Sequence, residues 1–283
     1  MTNRTRLAVQ KVSVVVATYN RADYLRLCLA CLRDQDYAGP WEIVVSDDGS
    51  TDHTAAVIAE ARARRPDIPI AHRWHEHQSY RRAFTVNEGV RQSTGDLLVF
   101  LDSDCLPARD LVRTYVTRAV PRAYYLGGVW KLTRDFMERA LASAAQAEPG
   151  PLLAEAAESH SQKPNARKRV RTRYWQSRLH ALFGLGKPRI WGGNFALSRE
   201  VFEAVNGLDE NFVGYGQEDS DFRDRLVMSG CRPVCLHLKA VAYHLWHPLD
   251  MQARHEADGG RGNRVYYNRA NVETVCRNGL RKL

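Results

Sequence analysis

No run of about 18 apolar residues occurs in the 283-residue sequence, so no segment of it reads as a membrane-spanning helix. Met1-Thr2-Asn3-Arg4-Thr5-Arg6 leads toward strand-like sequence without the apolar stretch of a secretory signal, which sets the expectation of a cytoplasmic protein. The six cysteines do not form the two well-spaced pairs that a structural zinc site needs. They suit buried reduced thiols instead, with Cys28 and Cys31 on one apolar helical face. No glycine-rich phosphate loop follows the first strand-like run, where Ala17-Thr18-Tyr19-Asn20-Arg21 stands instead. Acid is absent from one long stretch. From Lys163 to Arg189 there are nine Lys or Arg and no Asp or Glu, as much positive charge as the whole net charge of +9. No internal repeat is visible. With 44% apolar residues, what is present suits a soluble chain of one domain or two closely packed ones.

The first hundred residues alternate strand and helix signals. Val12–Ala17, Trp41–Val45 and Leu97–Leu101 are continuous apolar runs of the kind buried in a parallel sheet, and Ile70–Arg73 is a shorter one. Between them, Leu25, Cys28, Leu29 and Leu32 recur at helical spacing. Thr51 or Asp52 can cap a helix reaching about Arg65, and another is expected from about Arg81 to Gln92. This order predicts a doubly wound α/β sheet, whose ligands bind at the carboxyl ends of the strands. In the second half, Arg134–Glu148 reads as a helix broken by Pro149-Gly150-Pro151. Residues 151–188 read as a flexible insertion or a helical excursion, and ordered patterning returns from Ile190 to Trp246. The tail from Pro248 is polar and basic, with turn signals at Gly259-Gly260 and Gly262-Asn263.

Four polar constellations stand out. Gly192-Gly193-Asn194 and Gly214-Tyr215-Gly216-Gln217-Glu218-Asp219 are glycine-rich turns bracketing one segment, where backbone can approach a ligand closely. Asp102-Ser103-Asp104 directly follows a buried strand. If extended, its two carboxylates share a face and can serve Mg²⁺ or Mn²⁺, although a lone D-x-D is as readily a loop cap. His244-Leu245-Trp246-His247 sets two imidazoles three apart, which moves metal preference toward Mn²⁺. Asp219 is the candidate general base, set among Glu218 and Asp221 at the start of a helix whose inner face includes Phe222 and Leu226. Together they suggest a metal-assisted transferase acting on a nucleotide-activated substrate.

These residues resemble an inverting glycosyltransferase of the GT-A fold, family 2-like. The likeness runs through Val14–Asn20, Asp47-Asp48-Gly49-Ser50-Thr51-Asp52 and Gly95–Pro107. From Ile190 to Leu226 and Tyr243 to His247, the chain is similar to the catalytic segment of β-1,4-galactosyltransferases and to polypeptide GalNAc-transferases. The resemblance implies one GT-A catalytic domain over 1–248, with a nucleotide-sugar half at 10–130, a basic helical insertion at 134–188, a catalytic segment at 189–248 and a tail at 249–283. It implies that Ala17, Tyr19, Arg21 and Asp48 hold the uridine of a UDP-sugar, that Arg82 reaches the donor, and that Asp102 contacts the ribose or the metal's water shell. Asp104, His244 and His247 would be the metal ligands, for Mn²⁺ or Mg²⁺. Asp219 would be the base and Glu218 would position a sugar, with Trp191, Gly193, Asn194 and Tyr215 around the acceptor. One departure is Gln217, which stands where galactosyltransferases carry glycine.

Within the basic segment, Trp175, Leu179, Leu182 and Phe183 fall on one helical face, with Arg171 and Arg178 off it. That is compatible with an anionic membrane surface and a lipid-linked or saccharide acceptor. It is equally the pattern of a helix that packs its apolar side on the domain. No nucleic-acid-binding motif accompanies the charge. Two other classes compete. A nucleotidyltransferase would be expected to have the missing phosphate loop. A non-catalytic membrane-surface or anionic-glycan binding protein would leave the carboxylates and glycine turns unexplained.

Overall fold

The computed structural model describes residues 6–162, 164–183, 188–248 and 261–283. The first half is laid out as read from the sequence: β1 (Val12–Thr18), α1 (Ala22–Arg33), β2 (Trp41–Asp47), α2 (Thr54–Arg64), β3 (Ile70–Trp74), α3 (Arg82–Gln92) and β4 (Leu97–Asp102). β5 (Cys105–Pro107), α4 (Leu111–Arg118) and β6 (Ala123–Lys131) follow, then α5 (Arg134–Ala142), α6 (Pro149–Gln162) and α7 (Ala166–Phe183). The chain continues through β7 (Asn194–Ser198), α8 (Arg199–Ala204), α9 (Glu218–Met228) and β8 (Arg232–His244) to α10 (Arg261–Tyr267).

One sheet holds all eight strands in the order β3-β2-β1-β4-β7-β6-β8-β5. β1 to β4 are mutually parallel, while β7 runs antiparallel to both β4 and β6. The sheet is therefore mixed, with the strands of the alternating first half forming its parallel part. β2 and β4 flank β1, so the strand order reverses there, and the carboxyl ends of β1 and β4 open the crevice where such sheets bind ligands. Apolar side chains of β1, β2 and β4 pack on both faces, which is why these runs do not alternate with polar residues.

Helix α1 is buried on two sides. Leu25, Cys28, Leu29 and Leu32 face the sheet, whereas Leu27 and Cys31 join Leu106, Phe136 and Leu152 in a separate cluster under α5 and α6. Cys28 and Cys31 thus do not share one face, and all six cysteines are unpaired thiols. Pro149 and Pro151 do not break a helix; they begin α6. A proline in the first turn lacks only an N–H that would have no helical partner. Gly262 and Asn263 lie within α10, not in a turn, and Gly259-Gly260 lie outside the described residues. The described end of the chain packs back on the body: Arg91 Nη2 donates to the Gly279 carbonyl at 2.8 Å and Asn206 Nδ2 to that of Cys276 at 2.7 Å.

Candidate active site

The loops after β1 and β2 hold each other through short polar side chains. Asn20, at φ +46°, receives the Thr51 N–H on Oδ1 at 2.8 Å and gives its own N–H to Ser50 Oγ at 2.8 Å. Asp52 accepts from Thr54 N at 3.0 Å and from Ala22 N at 3.0 Å, so one carboxylate satisfies the first turns of both α1 and α2. Asp48 is thereby fixed in a pocket at the sheet edge, 6% exposed. Its Oδ2 lies 3.0 Å from His77 Nδ1, while its Oδ1 makes no hydrogen bond and has His75 Nδ1 at 3.4 Å. Burial raises the Asp48 carboxyl above its usual range against the pull of both imidazoles. Tyr19, 40% exposed, lies flat on the His77 ring at 4.2 Å. The two histidines escaped the sequence reading, although His75-x-His77 directly follows β3. Ala17 sits on β1 below them, its carbonyl accepting the Ser103 N–H at 3.0 Å. Arg21 stacks on Tyr24 at 5.2 Å, and its charge acts on Asp104.

Asp102 and Asp104 do not share a face. Ser103 and Asp104 form a turn, so the carboxylates diverge to serve different groups. Asp104 meets His247 Nε2 at 3.2 Å and His244 Nε2 at 3.6 Å. Against burial, which alone would raise it, the two imidazoles and Arg21 hold the Asp104 carboxyl far below its usual range. The hydrogen bond that His247 donates to Asp104 in turn raises the His247 pKa. β5 pairing with β8 places His244 opposite Cys105, one residue beyond Asp104, so two distant segments converge by strand register. One ligand atom from each of the three lies within 4.8 Å of the others, and among the described residues no other such group exists. An oxygen and two imidazole nitrogens fit Mn²⁺ or a comparable divalent ion.

Asp102 turns instead to Arg82, whose Nη2 it receives at 2.9 Å. The same guanidinium donates to Asp219 at 3.2 Å and lies 4.0 Å from Glu218. Burial works to lower the Arg82 pKa, but the three carboxylates outweigh it and the group is held firmly charged. Gly192 permits this clamp: a Cβ there would stand 2.4 Å from Arg82 Nη2. The Gly192 N–H also donates to Asp219 Oδ2 at 3.1 Å. Gly193 backs Asp102 in the same way, since a Cβ on it would lie 3.2 Å from Oδ2.

Glu218 and Asp219 open α9, where free helix N–H groups favour negative charge. Burial first, then repulsion from Asp219, pushes the Glu218 carboxyl up to about 7, and its Oε2 has no partner. Asp219 is also raised, by burial and Asp102, while Arg82 opposes the shift. The residue before them, Gln217, has φ +76°, the left-handed region where glycine is at ease. Asn263 of α10 steadies this turn, donating to the carbonyls of Gly214 at 3.2 Å and Gly216 at 2.9 Å. Its place in a polar tail left it no signal in the sequence.

The four residues expected around an acceptor separate. Trp191 and Tyr215 are partly and largely exposed near the carboxylates, with Tyr215 6.4 Å from Tyr80. Asn194 is fully buried and spends its amide on the fold: it accepts from Tyr115 Oη at 2.7 Å and donates to the carbonyls of Gly128 and Ala240. It ties β7 to β6 and β8, and it cannot contact a sugar.

The family model described as glycosyl transferase family 2 matches residues 13–205, and one described as the N-terminal domain of galactosyltransferase matches residues 179–248. Among curated proteins, the chain is 26% identical over 250 residues to the chondroitin synthase of Escherichia coli, covering 85% of this chain and 35% of that protein. It is 30% identical over 236 residues to the validoxylamine A glucosyltransferase of Streptomyces hygroscopicus subsp. jinggangensis, covering 78% and 52%. The chain thus spans about a third to a half of these relatives. Among solved structures, a mannosyltransferase from Pyrobaculum calidifontis in complex with GDP-Man and Mn²⁺ superposes with TM-score 0.59 at 21% identity, covering 95% of this chain and 68% of that one. S. aureus TarS 1–349 in complex with UDP gives 0.55 at 19%, covering 85% and 62%. These are likenesses of fold, and the fold is GT-A. A family model matching residues 13–205, well over half of the chain and including Arg82 and Asp102 of the cleft, makes this protein a member of glycosyl transferase family 2.

Proposed function

We propose that the protein transfers a sugar from a UDP-sugar to a hydroxyl of a saccharide or glycolipid acceptor, with inversion, in the synthesis of cell-surface polysaccharide or lipopolysaccharide. The observation that carries this reading is the pairing of two sites joined by the Asp102-Ser103-Asp104 turn at the end of β4. Asp104, His244 and His247 form one, and the Arg82-braced Asp102, Glu218 and Asp219 form the other. Asp104, His244 and His247 would hold Mn²⁺ or Mg²⁺, which supplies neutralisation of the leaving diphosphate. Asp48 Oδ1, buried and without a hydrogen bond, is an acceptor for a nucleobase N–H, and the Tyr19–His77 stack forms the wall beside it. Asp219 removes the proton of the attacking acceptor hydroxyl. Arg82 and the Gly192 N–H hold that carboxylate in one orientation, which a base must have before substrate arrives. A single base without a partnering acid fits one displacement, and hence inversion.

Asp219→Asn is expected to keep nucleotide and Mn²⁺ binding and lose transfer by ~10²-fold or more. Transfer at the parental rate would remove Asp219 from the chemistry. The solved relatives hold UDP, UDP-GlcNAc or GDP-Man, so competition between UDP and GDP decides the donor base.

The surface of α7 supports peripheral contact with an anionic membrane. Its inward side is Ala166, Val170 and Ser177, packed on β8, not the apolar stripe. Trp175, Leu179, Leu182 and Phe183 stand outward at 48–65% exposure, among basic side chains. No helix among the described residues is long and apolar enough to cross a membrane. Co-sedimentation with anionic but not zwitterionic vesicles is expected, and equal recovery with both would dismiss the contact.

A further inference from the structure

The helix α7 also borders the cleft on its other edge. Arg173 lies over the Trp191 indole at 4.6 Å, and Arg189 lies over the same ring at 5.1 Å. Trp191 immediately precedes Gly192, whose N–H holds Asp219, and the charge of Arg189 is felt at Asp219. A second indole, Trp130, lines with Trp191, Arg173 and His237 a cavity of about 10 Å³, room for no more than about one water, so this corner is a packed wall of the cleft. Trp130 is fixed there by stacking on His160 at 4.8 Å and by its Nε1–H, which donates to the His237 carbonyl at 3.2 Å. Gly128 allows that approach, because a Cβ would stand 2.2 Å from the same carbonyl oxygen. From Arg173 an open groove of about 380 Å³ runs along α7, lined by Asn165, Lys168, Arg169, Thr172 and Gln176.

Among the described residues no carboxylate forms an ion pair with Lys168, Arg169, Arg173 or Arg189, whereas Arg82 in the cleft meets both Asp102 and Asp219. Half-burial and the repulsion of Arg169 and Arg189 push the Arg173 guanidinium below its ordinary pKa. A cluster of like charges held together without acid is relieved by an anionic ligand. A guanidinium fork matches a carboxylate or a phosphate.

We propose that this groove forms an acceptor subsite for a saccharide bearing an anionic group, carboxylate or phosphate, with the sugar lying along α7 and the anion taken by Arg173 beside the Trp191 indole. The proposal rests on reading Asp219 as the base of an acceptor cleft. It narrows the acceptor class from any saccharide to an acidic one.

The test uses the full chain with Mn²⁺ and saturating UDP, so that anions are kept from the donor site. Methyl glucuronide, glucose 1-phosphate and neutral methyl glucoside are titrated while the indole N–H resonances are followed by NMR, with Trp191 assigned through Trp191→Phe. The charged probes are expected to shift Trp191 at concentrations where the neutral one does not. Arg173→Gln should weaken that response by ~10-fold or more, and Arg173→Lys should restore part of it. Which charged probe binds tighter distinguishes a uronate from a sugar phosphate. Equal response to the neutral glycoside, no response of Trp191 to either charged probe, or an unchanged Arg173→Gln titration would overturn the proposal. Calorimetric UDP binding in the same samples separates the two levels: its loss counts against the donor site, whereas its retention with no anion response counts against the subsite alone.

Discussion

Replacing Arg82 by glutamine removes the only cation among the described residues that bonds to both Asp102 and Asp219. At the observed 2.9 and 3.2 Å, each pair of unit charges is worth about 5–6 kcal/mol at an effective dielectric of about 20. Desolvation cancels much of that, and deleting one partner of a buried pair costs about 3–5 kcal/mol net. The sign with pH follows from the carboxylates left behind. Glu218 already sits at about 7 beside Arg82, above its ordinary 4.5. A carboxyl whose folded pKa is raised binds a proton more tightly in the folded state, so its favourable contribution is lost as pH rises through that window. Without Arg82, Glu218 and Asp219 keep their protons to still higher pH, and the repulsion among ionised groups is felt most above neutrality. Urea unfolding of Arg82→Gln and the parent, followed by circular dichroism without metal, is the assay. The loss expected at pH 8 is about 3–5 kcal/mol, and at pH 5.5 it is smaller by about 1 kcal/mol or more. Equal losses at both pH values, or a larger one at pH 5.5, would refute the electrostatic role.

Glu218→Gln removes the group that titrates near 7, so its stability is expected to decline less than the parent's as pH rises from about 4.5 to 7. The inflection near 7 in kcat/KM should disappear with it; an unchanged stability slope would mean that Glu218 is not raised in solution. Gln217→Gly relieves a left-handed L-residue worth about 1–2 kcal/mol, offset by about 0.5–1 kcal/mol of added chain entropy. Its melting temperature should match or exceed the parent's, while Gln217→Val should fall below both. Equal melting temperatures for the glycine and valine variants would remove strain at this turn from consideration.

The strands at the ligand-binding edge were legible because both faces of β1, β2 and β4 are buried, which makes their sequences continuous apolar runs. β5, α4 and β6 gave no comparable signal: β5 is three residues long, and β6 carries Gly127 and Gly128 where its pairing with β8 shifts register. The Asp104–His244–His247 cluster was traceable because these are distinctive residue types, even though strand pairing, not extension of the D-x-D, brings them together. Asn194 misled because its neighbours Gly192 and Gly193 do face the cleft, while β7 begins at Asn194 and turns it inward. The outward stripe of α7 could not be assigned a direction from spacing alone. The small residues Ala166, Val170 and Ser177 make an equally regular inner face. Arg82 was expected to reach the donor, and its role as a brace for carboxylates depends on contacts to Asp102, 20 residues away in sequence, and to Asp219, 137 residues away.

Calorimetric titration of UDP into the purified protein, with Mn²⁺ and again with EDTA, tests the donor site most directly when His247→Ala is run beside the parent. Binding that requires Mn²⁺ and weakens in His247→Ala is the predicted result. UDP binding that is indifferent to EDTA, an Mn²⁺ titration unchanged in His247→Ala, or no UDP binding in either condition would contradict it.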